Sequence, residues 1–113
     1  MRQTTLFDGE REAKGAAAER VLLYALGEFQ VRGLVLVGRD LPFDRLRGAF
    51  RRAAEAFGVA EIGDEEAAAA LTALGAQVRR VPTFFAKHPF RVLVHEPLAE
   101  RARGFFLEMK KTD

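Results

Sequence analysis

The clearest pattern in this chain is a helical stripe. Leu46, Ala49, Phe50, Ala53, Ala54 and Phe57 recur at three- and four-residue spacing, while Arg45, Arg47, Arg51 and Arg52 fall largely off it. The spacing predicts a helix over 45–57, capped by Asp44 and stopped by Gly58. Ala18, Leu22, Ala25, Leu26 and Phe29 form a second apolar face and predict a helix over 8–29. Thr5 or Asp8 suits its cap, Glu10 precedes Lys14 at i,i+4 spacing, and Gly33 closes it. A third helix starts at the cap Asp64, with Glu65 and Glu66 where acids complement the helix dipole, and runs to Gly75. The last begins with Pro97 at a first helical position and carries the apolar line Leu98, Ala102, Phe105 and Met109.

Between these stripes the period changes. Residues 34–37, LVLV, are continuously apolar, which predicts a strand covered on both faces or at least centrally placed. Residues 59–62 suggest a short strand. Residues 77–85, interrupted by Pro82, and 90–95 read as two strands joined by a hairpin loop over 86–89. The order is therefore α-β-α-β-α-β-β-α, within a single domain spanning 1–113. Strands joined through helices favour parallel crossovers. The expectation is an α+β fold with a mixed sheet of about four strands packed by helices.

Composition adds mainly exclusions. The chain has no Cys, Ser, Asn or Trp, and only two histidines, His88 and His95. Thiol chemistry, serine nucleophiles, thiolate metal sites and disulfides are thereby removed. Arg outnumbers Lys by fourteen to four, and Ala is abundant. Heat adaptation explains such a bias, as does a GC-rich genome, so the missing residues need no functional cause. With 49% hydrophobic residues and ten Phe, the chain can bury a real core. No apolar run approaches the ~20 residues of a membrane span, and MRQTTLFDGERE does not read as a signal peptide. A cytoplasmic protein is expected, with no membrane partner.

The net charge of +2 is too small to argue for a nucleic-acid partner globally. Its distribution is uneven. Residues 79–91 hold Arg79, Arg80, Lys87 and Arg91 without an acid, and residues 61–66 hold four acids without a base. Such segregation can support docking or self-association, and can equally be two solvated surfaces.

Two groups of residues are candidates for chemistry. In residues 83–91 aromatics interleave with Lys87, His88 and Arg91, a pattern that can stack bases and hold phosphates. The arginines of the second helix, Arg45, Arg47, Arg51 and Arg52, can contribute to the same phosphate contact. If the 34–37 strand runs parallel to the 77–85 strand, Arg39 and Asp40 share a sheet edge with Lys87 and His88. That set can bind an anion or move a proton, which makes Asp40 and His88 the candidate catalytic residues. The plainer reading is a surface ion-pair cluster. Seven residues of strand span about 23 Å, so His88 and His95 do not share a metal within one chain, which leaves only a site between subunits, and no metal or cofactor is expected. His95 falls at a strand end, where its backbone or Glu96 helps cap the last helix. Neither VLVGRD nor RGFFL completes a nucleotide- or RNA-binding motif.

The whole chain, with VPTFFAKHPFRV as its most distinctive segment, resembles a small uncharacterised bacterial family of about this length. The resemblance implies no activity and carries over no functional residue. The leading expectation is a non-enzymatic interaction module that associates with itself as a homodimer. The alternatives are a nucleic-acid-binding protein and a small anion-binding protein or acid/base enzyme.

Overall fold

The computed structural model describes residues 3–81 and 89–111, with side chains from Gly15 onward. Helix α1 (Gln3–Val31) is the element on which the others converge. From residue 21 to residue 27 every position is buried. The expected apolar face is there, but Val21, Leu23 and Tyr24 are buried as well, so this stretch has no wet side. Three further helices, α2 (Phe43–Phe57), α3 (Asp64–Leu74) and α4 (Glu96–Lys111), each pack against α1. Thr5 and Asp8 lie inside the helical span and do not mark its start.

The anticipated stripe of α2 is buried from Leu46 to Ala54, and Phe57 is half-buried. The helix starts earlier than expected, with Pro42 in the N-cap position and Asp44 in the first turn. The cause is Phe43, which is fully buried with its ring 5.8 Å from Phe50 and 5.3 Å from Phe90. Helix α3 is likewise entered from Gly63, with Asp64 as its first residue. Gly58 and Gly75 end α2 and α3 at φ 68° and 106°, conformations that disfavour a side chain.

The sheet differs most from expectation. Its three strands are β1 (Asp40–Pro42), β2 (Gln77–Arg80) and β3 (Phe90–Leu93), in the order β1-β3-β2. Both pairings are antiparallel: Asp40 and Gln77 flank Leu93, and Arg79 lies opposite Arg91. The hairpin strand β3 is central, which replaces the parallel crossovers. Residues 34–37 form no strand and contribute a single parallel bridge, Val37 to Val94. Only Leu36 of this run is buried. The pairing position beside β3 goes instead to β1, which alternates Leu41 inward with Asp40 outward. Pro42 is tolerated there because β1 is an edge strand. Residues 59–62 also pair with nothing in the sheet; the Ile62 carbonyl accepts a hydrogen bond from Arg47 instead. The fold is thus α+β, with four helices and a three-stranded antiparallel sheet among the described residues.

One sheet face carries Leu41, Phe90 and Val92 into the core. The other leaves Asp40, Gln77 and Arg79 exposed.

Candidate functional site

The shared sheet edge expected to gather the site residues is not built by strands 34–37 and 77–85, because residues 34–37 form no strand. The chain leaves the sheet after Arg80 and re-enters at Phe90, whereas Asp40 sits opposite Leu93 at the other end. Lys87 and His88 lie outside the described residues. Among the described residues the parallel strand pair expected to bring them beside Arg39 and Asp40 is not formed.

Asp40 is held by two arginines of the basic 79–91 segment, a pairing the sequence did not reveal. Arg79 Nη2 donates to its Oδ2 at 2.7 Å and Arg91 Nε at 3.0 Å, while Arg91 Nη2 donates to its carbonyl at 2.8 Å. The register explains the contact. Arg79 and Arg91 face each other across β2 and β3, an unfavourable like-charge pair that the Asp40 carboxylate bridges. Hydrogen bonds from Arg91, then Arg79, hold the Asp40 carboxyl below its usual range. A carboxylate so held is a poor proton acceptor at neutral pH. Arg39 is exposed and has no ionic partner among the described residues.

The arginines of α2 divide in two. Arg45 and Arg51 are exposed without ionic partners among the described residues. Arg47 and Arg52, expected on the wet face, tie elements together. Arg47 donates to Asp64 at 3.0 Å, Glu61 at 2.6 Å and the Ile62 carbonyl at 3.0 Å, binding the 58–63 connection back against α2. Arg52 forks onto Glu28 of α1 at 2.6 and 3.0 Å, and Arg32 adds a third bond at 2.8 Å. Burial would raise the Glu28 pKa, but the hydrogen bonds from Arg52 and Arg32 outweigh it and the net shift is downward. Part of the charge segregation seen in the sequence is closed by pairing within the chain, since Arg80 also meets Glu65 at 2.5 Å. His95 is exposed, and its carbonyl accepts the Ala99 N–H at 3.1 Å, so its backbone caps α4.

The feature least visible in the sequence is apolar. A concavity of about 410 Å³ lies between α1, α3 and residues 57–62, with Val21, Phe57, Val59 and Ile62 in its walls. A second of about 280 Å³ continues along α1 and α3 over Ala18, Ala69, Ala70 and Ala73. Ala18 and Glu66 line both, so they form one groove. The combined volume is in the range of ligand and peptide sites. Glu19 and Glu66 stand on its rim without ionic partners among the described residues. Arg20, the cation on that rim, lies 5.8 Å from the Phe57 ring centroid and 5.3 Å from that of Phe105. Alanine-rich segments such as AAAALTAL signal a groove only once their neighbour is known. Apolar surface is open elsewhere too: Val31, Leu34, Val35 and Val37 are 36–60% exposed.

No family model, curated protein or solved structure matches this chain. Residue roles therefore rest on the geometry alone. No helix among the described residues is long and apolar enough to cross a membrane.

Proposed function

We propose that this protein is a non-enzymatic interaction module that associates with itself. The observation that carries this reading is a contrast in what the surface leaves unsatisfied. Among the described candidates, Asp40, Arg47 and Arg52 are tied into structural ion pairs, while valines and leucines stand exposed. Open apolar surface next to unpaired charge is what a docking protein retains. The charge segregation that remains fits a second copy of the chain. Sedimentation or light scattering of the full chain at tens of micromolar tests it. A dimer is expected; a strictly monomeric species overturns the reading.

A second reading is nucleic-acid binding, favoured by one feature of the topology. Helix α2, a connecting turn and α3 are followed by the β2–β3 hairpin, the order of a helix-turn-helix with a hairpin wing. Electrostatics oppose it. The first turn of α3 holds Asp64, Glu65 and Glu66, and the helix has no cation, whereas the reading helix of such a motif meets DNA at this end. Fluorescence anisotropy with duplex and single-stranded oligonucleotides at low salt decides the matter. Binding that weakens steeply with salt supports this reading, and none at about 50 mM salt removes it. The third expectation, anion or acid–base chemistry at Arg39, Asp40, Lys87 and His88, is tested by a thermal-shift screen with phosphate compounds, since a specific ligand raises the melting temperature.

A further inference from the structure

The α1/α3 groove has an occupant in the chain itself. We infer that it receives the outer face of α4 from a second copy, in a reciprocal two-fold contact. This inference rests on the self-association reading above and names its surface.

The groove offers an apolar floor between two carboxylates, Glu19 and Glu66, that have no ionic partner among the described residues, while the rim cation Arg20 lies over the Phe57 and Phe105 rings. Its counterpart has the opposite layout. On α4, Leu107 is 42% exposed, with Arg103 one turn before it and Lys111 one turn after, both exposed. Residues four apart share a helix face, so the three form a stripe of base, apolar anchor and base. An amphipathic helix docks into a groove through such an anchor, and the flanking cations meet the rim acids. Arg103 has no ionic partner among the described residues, while Lys111 makes only a long 3.8 Å contact with exposed Glu108.

Placement makes reciprocity feasible. Arg20 reaches both Phe57, in the groove wall, and Phe105 of α4, so the groove and α4 adjoin. A two-fold axis beside them lets each copy give its α4 to the other and receive one in return. Two helix-in-groove contacts are then buried where a one-sided contact buries one. The same acid rim disfavours a nucleic-acid backbone in this groove.

Sedimentation equilibrium of the full chain and four variants tests the inference, with circular dichroism melts to verify folding. Glu66→Arg and Leu107→Glu lie at exposed positions and are each expected to weaken the dimer by about tenfold or more. Combining Glu66→Arg with Arg103→Glu restores most of that loss, because the swapped charges meet again across the interface. A dimer indifferent to Glu66→Arg and Leu107→Glu overturns the inference but leaves self-association standing. Loss of the dimer only in Val35→Glu also overturns it, and moves the contact to residues 31–37. A monomeric wild-type chain overturns the self-association reading and this inference together.

Discussion

Helix α1 meets α4 and α3 in opposite ways. Against α4 the contact is closed. A Cβ on Gly27 would overlap the Ala102 carbonyl and lie 2.5 Å from Phe106 Cβ, so glycine alone permits this approach. The Tyr24 and Phe106 rings meet edge to face at 4.8 Å, and Gln30 Nε2 donates to the Ala99 carbonyl at 2.8 Å. Against α3 the facing residues are small and the helices leave a groove, with Ala18, Ala70 and Ala73 along it. The lesson concerns small residues. Glycine at a crossing brings two backbones together, whereas alanines along a boundary that does not close leave room for something else.

Adding atoms on each side of α1 breaks or confirms this comparison. The largest effect is expected from Gly27→Ala, where one methyl has no space and the helices must separate; a loss of about 2–3 kcal/mol in denaturant unfolding is expected. An unchanged midpoint would mean the α1/α4 contact is looser than it looks. Next is Glu28→Gln, which breaks the charged fork from Arg52 on the α2 side of α1. With the Glu28 side chain only 12% exposed, the cost is about 1–2 kcal/mol.

That variant carries a pH signature. Because the native Glu28 pKa is lowered, its stabilisation is complete above the ordinary glutamate range and is lost as pH falls through the lowered native value. Glu28→Gln should therefore flatten the acid side of the stability profile, and an unaltered slope would show that the fork contributes little.

Ala73→Leu is the counterpart of Gly27→Ala. It adds more atoms but into the open groove, so stability should change by less than about 1 kcal/mol. A loss as large as that of Gly27→Ala would erase the distinction between the two sides. The smallest effect belongs to Asp40→Asn on the exposed sheet face. It leaves Arg79 and Arg91 opposed, so the melting temperature should fall at low salt and recover as salt screens the repulsion. A drop independent of salt would point to lost hydrogen bonding rather than charge.

How much of this was legible differs element by element. The α2 stripe was readable because its period alone separates inside from outside, and Gly58 and Gly75 announce their ends by the backbone they allow. Residues 34–37 misled for the opposite reason. A continuous apolar run carries no facing information, and its strand-like composition did not reveal that Asp40–Pro42 would take the place beside β3. Arg47 and Arg52 fall off the apolar face as the period indicates, but their partners on other elements were not legible, because periodicity locates a side chain on its own helix and says nothing of the neighbour across from it. Asp40 was singled out, yet its partners Arg79 and Arg91 became visible only through the strand register.

The sequence by itself determined the four helices, the hairpin and the exclusion of thiol and serine chemistry. Those follow from local periods, turn residues and absences, which need no partner. The tertiary structure decided the strand order, the closing of ion pairs across elements, and the difference between the two sides of α1. These depend on which surfaces meet. Gly27 and Ala73 are both small residues in helices, and only the helix opposite tells that one is a point of contact and the other the edge of a groove.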